Sequence, residues 1–209
     1  MSRPRVCFSI LFGEQLLNGS GGAFGGAEVR AVTFLHGIAR DATLDLHVVV
    51  MGARTARPSF TRPDGITVHY RPDVSFYDGG QDDASRSVWA QVDADVYVTF
   101  GANEATAELA RFCQSHGAAL VVSVASDVCL EPFVHEYSQV RDPYGVQGHF
   151  LWYGLAHADE VVVQTERQRE MLRARMQREA TLIRNPAPSG ARSPARSAPA
   201  YGGRMLWIG

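Results

Sequence analysis

A glycine-rich loop between an apolar run and an amphipathic helix is the stretch of this sequence best suited to hold a ligand. Residues 6–12 form a short apolar run, which is typical of a buried strand in a parallel sheet. The loop after it contains Gly19, Gly21, Gly22, Gly25 and Gly26. Gly25 and Gly26 then open a helical pattern that continues to Ile38.

The glycines at this helix entrance favour an anionic ligand. Glycine lets the backbone approach a ligand closely, and the first N–H groups of a helix have no helical partner. Together with the positive end of the helix dipole, those groups attract phosphate. We therefore predict that Gly22, Gly25 and Gly26 hold a phosphate or diphosphate. The alternative is that these glycines only make the loop flexible.

Further candidate binding residues follow other apolar runs, where strands would end. They are Gly101, Asn103, Ser126, Asp127, Thr165 and Glu166, and Glu131 and His135 follow Asp127 on an irregular segment. Structural roles compete with binding at several of them. Asp127 suits a turn, and Asn103 and Thr165 suit the N-caps of helices. Glu166 suits the acidic first turn of a helix.

The elements that would position these residues alternate along the chain. Apolar runs near 46–51, 66–70, 95–100, 120–125, 161–164 and 181–183 predict strands. Helical patterns cover about 104–115, 146–157 and 165–176, with a short helix near Trp89, whereas 53–65 and 71–87 are predicted to be irregular. This alternation predicts an α/β fold: a doubly wound parallel sheet with helices on both faces. In such sheets, ligands bind at the carboxyl ends of the strands.

Composition excludes several classes of function. The net charge of -2 gives no reason to expect a nucleic acid as partner. Cys7, Cys113 and Cys129 are too scattered for a disulfide framework or a zinc site, and they are typical of a reducing cytoplasm. The histidines show no metal-ligand spacing, so no metal is predicted. No signal-peptide pattern or membrane-spanning run is expected.

Composition also divides the chain. Residues 1–185 are predicted to form one Rossmann-like domain. Residues 186–203 are rich in Pro, Ala, Ser, Arg and Gly without periodicity, which is typical of a linker. Residues 204–209 look like the first strand of a second, truncated domain.

Four motifs, taken together, resemble a known family. They are Gly25-Gly26-Ala27-Glu28, Ala94-Asp95-Val96, the segment 158–168 and Ile183-Arg184-Asn185-Pro186. In order and spacing, the chain is similar to the N-terminal domain of retaining, nucleotide-sugar-dependent glycosyltransferases of the two-Rossmann-domain (GT-B) architecture. More narrowly, it resembles glycosyltransferase group 1 (family 4), and residues 206–209 match the first strand of that family's second domain.

The resemblance implies a function and a division of labour between domains. This domain would bind mainly the acceptor, which is a saccharide, a glycolipid or a small molecule. The second domain would bind the nucleotide-sugar and carry a pair of glutamates, so this part of the enzyme is expected to be inactive alone. The nucleotide-sugar is a substrate, and no further cofactor is expected. The protein is expected in the cytoplasm, with peripheral attachment to the inner face of the membrane compatible with the resemblance.

The resemblance also assigns roles to the candidate residues. The loop of Gly22, Gly25 and Gly26 would face the donor diphosphate across the cleft between domains. Asp127 would be the catalytic candidate, contacting the transferring sugar or acceptor hydroxyls. The acceptor-binding set would be Gly101, Asn103, Ser126, Asp127, Glu131, His135, Thr165 and Glu166. Many relatives have a histidine near the strand exit where this chain has Ser126 and Asp127.

Two other functions fit parts of the sequence. An NAD(P)-dependent oxidoreductase would use the glycines from Gly19 onward, but its fingerprint needs the first glycine at the strand exit, near Gly13. The apparent strand ending at Met51 also lacks a following acid for the ribose. A non-catalytic domain that binds a sugar or a protein partner would share the fold and the cleft.

Overall fold

The computed structural model describes residues 3–10, 12–19, 25–51, 57–71 and 81–186, without the side chains of Met51 and residues 81–85. Gly22, most of the predicted linker (187–203) and the predicted strand 204–209 lie outside the described residues.

Eight strands in the described part of the chain form one sheet with the order β3-β4-β2-β1-β5-β6-β7-β8. The strands are β1 (Arg5–Ser9), β2 (Asp45–Met51), β3 (Phe60–Thr61), β4 (Thr67–Arg71), β5 (Val96–Phe100), β6 (Ala119–Ser123), β7 (Glu160–Val163) and β8 (Thr181–Leu182). Every neighbouring pair is parallel except β3 and β4. The predicted doubly wound α/β sheet is therefore confirmed.

Helices connect the strands. They are α1 (Glu14–Leu17), α2 (Gly26–Ile38), α3 (Gln81–Val92), α4 (Glu104–His116), α5 (Gly148–Ala156) and α6 (Glu166–Met176), and a 3-10 helix covers Asp127–Leu130. Gly117, with a φ of 70°, ends α4 in the left-handed conformation that glycine adopts without strain.

The order of strands reverses between β1 and β5. From β1 the chain moves through α2 toward β2, whereas from β5 it moves the other way toward β8. Right-handed crossovers in opposite directions place helices on opposite faces of a sheet. Two separate apolar cores show that the helices lie on opposite faces. Leu35 of α2 packs with Val48 and Ile66 in one core. The helices α3–α6 contribute to the other core, with Trp89, Phe112, Leu151 and Leu172. The topological switch point therefore lies at the carboxyl ends of the neighbouring strands β1 and β5.

Several local elements differ from the sequence-based expectation, among them β3, α3 and the end of β1. β3 lies within 53–65, which was predicted to be irregular, and it pairs antiparallel with β4 through a turn in which Gly65 has a φ of 85°. Two residues are too few for an apolar period to reveal such a strand. α3 begins at Gln81, within the range 71–87 that was predicted to be irregular, and its Val88, Trp89 and Val92 pack into the core. β1 ends at Ser9 rather than Phe12. The Ile10 N–H still donates to the Val49 carbonyl, but the Ile10 carbonyl accepts the Gly13 N–H in a turn.

Candidate functional site

A cavity of about 70 Å³ lies at the switch point, between the carboxyl ends of β1 and β5. Its polar lining consists of Ser9, Glu28, Thr99 and Asn103, and its apolar lining includes Phe12 and Phe100. This is the place where open parallel sheets bind ligands, because the helices on either side separate to opposite faces.

Two hydroxyl groups form the floor of the cavity. Ser9 is the last residue of β1 and lies directly opposite Thr99 of β5. Both residues are buried, at 7% exposure, although their hydroxyls are polar. Each hydroxyl can both donate and accept a hydrogen bond. The floor therefore suits a ligand that carries hydroxyl or carbonyl groups.

Two helix N-termini border the cavity, and they are capped differently. Asn103 caps α4, and its Oδ1 accepts a hydrogen bond from the Thr106 N–H at 2.9 Å. Gly25 caps α2 without any side-chain hydrogen bond. The first helical bond of α2 runs from the Val29 N–H to the Gly25 carbonyl, so the N–H groups before it have no acceptor within the helix. The N-terminus of α2 thus has no side-chain cap, although the Glu28 carboxylate lies close to Gly25.

The two predicted glycines at this terminus have different surroundings. Gly25 is the N-cap and Gly26 the first helical residue, as the sequence pattern predicts. A Cβ at Gly25 would collide with the Glu28 carboxylate, whereas a Cβ at Gly26 would meet nothing within 4 Å. Packing within the described part of the chain therefore does not require glycine at position 26. Close approach of a ligand would require it.

A second group of predicted residues meets at the ends of β6 and β7. Oδ1 of Asp127 accepts a hydrogen bond from Nε2 of Gln168 at 3.0 Å, and its Oδ2 lies 3.5 Å from Nε of Arg167. Ser126 caps the 3-10 helix through a hydrogen bond from the Val128 N–H. The side chain of Asp127 is 41% exposed, so one side of the carboxylate faces solvent.

Thr165 and Gln168 join this group to the start of α6. The Thr165 hydroxyl accepts the Gln168 N–H at 3.1 Å, which makes Thr165 the N-cap. The Gln168 side chain then accepts the Gln164 N–H at 2.8 Å, one residue before the N–H that an ideal capping box uses. Gln164 in turn donates to the carbonyls of Val124 and Ala125. Asp127 is therefore held by a buried glutamine network rather than by a single turn.

The remaining predicted residues lie apart from these contacts. Gly101 turns the chain out of β5 with a φ of 88° and donates its N–H to the Ser123 carbonyl. Glu166 forms an ion pair with Arg169 within α6. Glu131 and His135 lie on the ordered segment after the 3-10 helix, and their side chains make no hydrogen bond or ion pair among the described residues.

The cysteines are not part of the site. Burial raises the pKa of Cys113 to about 12 and also holds the pKa of Cys7 and Cys129 above the usual range. A thiol with a raised pKa is a poor nucleophile, because the thiolate is the reactive form. Within the described ranges, no three His, Cys, Asp or Glu side chains are grouped closely enough to hold a metal ion. No helix of the described part is long and apolar enough to cross a membrane.

Sequence reasoning missed four residues that the structure brings into these sites. Ser9 and Thr99 stand on strands that are far apart in sequence, and only the sheet order makes them neighbours. Glu28 belongs to the glycine motif, but its place on the cavity wall requires the direction of α2. Gln168 was predicted only as part of a cap, and its bond to Asp127 depends on how α6 packs.

Comparison with protein-family models gives no match for this sequence, and comparison with curated protein sequences gives none either. Solved structures do match the fold. A Listeria monocytogenes protein assigned as a UDP-N-acetylglucosamine 2-epimerase aligns with a TM-score of 0.57 at 12% identity, over 88% of this chain and 45% of that one.

A second solved structure has the same assigned activity. The UDP-GlcNAc 2-epimerase of Methanocaldococcus jannaschii aligns with a TM-score of 0.50 at 9% identity, over 86% of this chain and 44% of that one. This chain thus spans less than half the length of either protein. The likeness supports the Rossmann-like α/β fold that the strand order shows.

Proposed function

We propose that this chain is the N-terminal, acceptor-binding domain of a retaining glycosyltransferase that uses a nucleotide-sugar. The observation that carries the proposal is the cavity at the switch point, with a glycine-led, uncapped helix on one side and buried hydroxyls on its floor. The motifs that resemble glycosyltransferase group 1 lie on these same elements: Gly25–Glu28 starts α2, and Ala94–Val96 leads into β5.

The donor side of the proposed reaction lies at α2. In glycosyl transfer, the bond between the anomeric carbon and the diphosphate oxygen breaks, so negative charge grows on the diphosphate as it leaves. N–H groups and a helix dipole already aimed at that charge stabilise the transition state more than the ground state. The open N-terminus at Gly25 and Gly26 is suited to this role, and Gly22 is proposed to belong to the same loop.

The acceptor side is proposed to run along the carboxyl ends of β5, β6 and β7. Gly101, Asn103, Ser126, Asp127, Thr165 and Glu166 all follow these strands, with Glu131 and His135 on the next segment. Asp127 is proposed to contact the transferring sugar or the acceptor hydroxyl, because its carboxylate is positioned by Gln168 yet partly open. The new bond forms from the acceptor oxygen to the anomeric carbon.

A donor screen on the full-length protein tests this function. Release of nucleoside diphosphate should depend on both a nucleotide-sugar and a hydroxyl-bearing acceptor. Retention of configuration at the anomeric carbon of the product would support the retaining mechanism. Nucleotide-sugar consumption without any dependence on acceptor would contradict a transferase.

A nucleotide-sugar epimerase is the second candidate, because two proteins assigned as UDP-GlcNAc 2-epimerases share the fold. It predicts a change of configuration in the sugar of UDP-GlcNAc when no acceptor is present. The same screen, followed by NMR of the sugar, separates the two activities. Binding of NADH to the protein, followed by fluorescence, would instead favour the oxidoreductase alternative. A binding module would bind sugar without consuming any donor.

The proposed enzyme acts in the cytoplasm, with the donor in solution. Peripheral attachment to the inner face of the membrane is proposed only if the acceptor is a glycolipid. Co-sedimentation of the full-length protein with lipid vesicles measures that attachment directly.

A further inference from the structure

Residues 131–147, which we call the tyrosine loop, present three large apolar side chains to solvent. Tyr137 is 78% exposed, Val140 is 57% exposed and Tyr144 is 79% exposed. Apolar side chains scattered singly over a surface are ordinary, whereas several on one short segment mark a binding surface. Tyrosine is also one of the residues most enriched in binding surfaces, because its ring is apolar and its hydroxyl is polar.

The second half of the tyrosine loop is a hairpin with a fixed backbone. The Asp142 N–H donates to the Val146 carbonyl at 2.8 Å, and the Gly148 N–H donates to the Val140 carbonyl at 2.8 Å. Gly145 has a φ of 88°, so it lies in the left-handed region that glycine adopts without strain. A three-residue turn that ends in such a residue is a common connection between two antiparallel segments.

Asp142 holds the tip of this hairpin, where Tyr144 lies. Its Oδ1 accepts hydrogen bonds from the N–H groups of Tyr144 and Val146, each at 2.8 Å. The ring of Pro143 fixes a further backbone angle of the tip. The backbone that carries Tyr144 is therefore ordered before any partner binds, and binding costs little additional loss of freedom.

The first half of the tyrosine loop is anchored in the body of the domain. Ser138 is 2% exposed, and its carbonyl accepts the His149 N–H at 3.1 Å. A Cβ at Gly148 would collide with the Phe133 carbonyl and with Oγ of Ser138, so the loop packs tightly against the start of α5. Tyr137 directly precedes the buried Ser138, and its backbone is fixed by the same packing.

The tyrosine loop lies at the same edge of the sheet as the candidate site. It follows the 3-10 helix that starts at Asp127, after the carboxyl end of β6, and it leads into the first residue of α5. A helix that connects parallel strands starts at the carboxyl edge of the sheet, so both ends of the loop lie at that edge. Glu131 and His135, which are proposed to bind the acceptor, belong to the loop.

The charges of the tyrosine loop favour a neutral, polar partner. It carries three carboxylates against one arginine, namely Glu131, Glu136, Asp142 and Arg141. An anionic membrane surface attracts basic segments and would repel this one. The cores of protein–protein interfaces are poor in glutamate and aspartate. A neutral molecule that offers both C–H surface and hydroxyl groups fits the tyrosines and the carboxylates together.

We propose that the tyrosine loop binds a saccharide, with sugar rings lying against Tyr137 and Tyr144. The C–H hydrogens on one face of a sugar ring are slightly positive, and the face of an aromatic ring is negative, so the two attract. The hydroxyl groups of the sugar can hydrogen-bond with the exposed side chains of Glu136 and Gln139. That this saccharide is the acceptor of glycosyl transfer rests on the proposed function. Saccharide binding by the loop does not.

Neutral oligosaccharides built from glucose, galactose, mannose, xylose or N-acetylglucosamine are the probes, and the 209-residue chain is the protein to test. Saturation-transfer NMR should detect binding of at least one of them, with the ring C–H protons of the sugar closest to the protein. Calorimetric titration then gives the affinity of each probe that binds. Failure of every probe to bind at millimolar concentration would overturn the proposal.

Tyr137→Ala and Tyr144→Ala should each weaken saccharide binding by roughly threefold to tenfold, which corresponds to the loss of one ring contact. Both variants should melt like wild type, because the two side chains are exposed. Tyr144→Phe keeps the ring and should bind within roughly twofold of wild type. The control is Phe60→Ala on β3, an exposed aromatic side chain at the other edge of the sheet, and it should not change binding.

Two variants of Asp142 test whether the fixed hairpin matters for binding. Asp142→Ala removes the acceptor for the N–H groups of Tyr144 and Val146 but leaves both tyrosine rings in place, so binding should weaken by roughly threefold or more. Asp142→Asn keeps an oxygen that can accept these bonds and should bind like wild type. Wild-type affinity in Asp142→Ala would contradict the assigned presentation of Tyr144.

Other occupants of the tyrosine loop give different results with the same variants. Co-sedimentation with vesicles of phosphatidylethanolamine and phosphatidylglycerol that is lost in Tyr144→Ala would assign the loop to a membrane and overturn the proposal. Self-association that is lost in that variant would assign the loop to a second copy of the chain, with the same consequence.

Kinetics of the full-length protein separate this inference from the proposed function. Glycosyl transfer with an acceptor KM that Tyr137→Ala and Tyr144→Ala leave unchanged would overturn the acceptor role of the loop while the proposed function stands. If saccharide binding depends on Tyr144 but no nucleotide-sugar is consumed, the proposed function fails and the saccharide-binding loop stands.

Discussion

At the scale of single residues, His47 of β2 and His69 of β4 form a pair across neighbouring strands. Nδ1 of His47 is 2.8 Å from Nε2 of His69, and the two rings stack with centroids 5.1 Å apart. Nε2 of His47 is 3.2 Å from Asp45, close enough for an ion pair although the angle does not make a hydrogen bond. Asp45 also pairs with Arg5.

This histidine pair should make the stability of the domain depend on pH. Burial, and then the nearby charges of His47 and Arg5, lower the pKa of His69 from 6.5 to about 4. The unfolded chain therefore binds a proton that the folded chain does not, so stability is complete above about pH 6.5 and falls as the pH drops toward 4. Because His69 is half-buried, we expect a loss on the order of 1 kcal/mol after solvent screening is considered.

Urea unfolding at about pH 8 and about pH 5 measures this dependence. Other groups titrate in the same range, so the informative quantity is the difference between wild type and His69→Gln. The variant should lose less stability at the lower pH than wild type does. His135→Gln, at an exposed histidine, is the matched control and should behave like wild type. Equal pH dependence in wild type and His69→Gln would contradict the prediction.

Asp127 allows a second test at the residue scale. Asp127→Asn keeps an oxygen that can accept the hydrogen bond from Gln168, so we expect little change in melting temperature. If the carboxylate contacts the transferring sugar, kcat/KM of the full-length enzyme should fall by roughly tenfold to a hundredfold. Steady-state kinetics with saturating acceptor measure this loss.

Gln168→Leu is the structural counterpart of that variant. It removes the acceptor for the half-buried Gln164 N–H, which should lower the free energy of unfolding by about 1–2 kcal/mol. If Asp127 has only a structural role, Asp127→Asn and Gln168→Leu should lose stability to a similar degree. The activity of each variant should then fall only in proportion to the fraction of protein that is folded.

At the scale of elements, α2 offers two glycines in matched surroundings. A Cβ at Gly26 or at Gly37 would meet nothing within 4 Å. Gly26→Val and Gly37→Val should therefore both fold, with melting temperatures equal to or above wild type, since valine is a better helix former than glycine. Only Gly26→Val should lower kcat/KM for the donor, by roughly tenfold to a hundredfold, because only there would a side chain obstruct a phosphate.

Kinetics and melting of the two variants decide between contact and flexibility. A fall in kcat/KM for the donor in both variants would show that catalysis responds to any change in α2, and not to a side chain at Gly26 in particular. Unchanged kinetics in folded Gly26→Val would assign the glycine to flexibility.

Elements in which apolar residues repeat regularly, or form a continuous run, were predictable from the sequence. Short elements whose conformation depends on tertiary contacts were not. The apolar runs of β2, β5 and β6 and the cap of α6 by Thr165 are local signals, and the structure has them. β3 and the 3-10 helix span two and four residues, too few for any period to show. The cavity floor was missed because Ser9 and Thr99 meet only through the order of the strands.

The candidate site was predictable from the sequence only in part. The rule that ligands bind at carboxyl ends of strands selected Asn103, which does line the cavity. Gln168 could be selected only as a helix cap, because its hydrogen bond to Asp127 depends on how α6 packs.

At the scale of the whole molecule, the cavity is too small for the proposed donor. Pockets that enclose a small ligand usually have about 300–1,000 Å³, whereas the cavity at the switch point has about 70 Å³. The described lining of this cavity therefore does not enclose a nucleotide-sugar by itself. The chain also spans less than half the length of the two UDP-GlcNAc 2-epimerases that share its fold.

We therefore expect the 209-residue chain to show no appreciable glycosyl transfer, and to bind nucleotide-sugar at least roughly a hundredfold more weakly than the full-length enzyme. Calorimetric titration of both proteins with the donor found in the screen measures the affinity, and nucleoside diphosphate release measures transfer. Robust turnover by the purified short chain would show that the cavity at β1 and β5 is a complete active site, and the division of labour between two domains would be wrong.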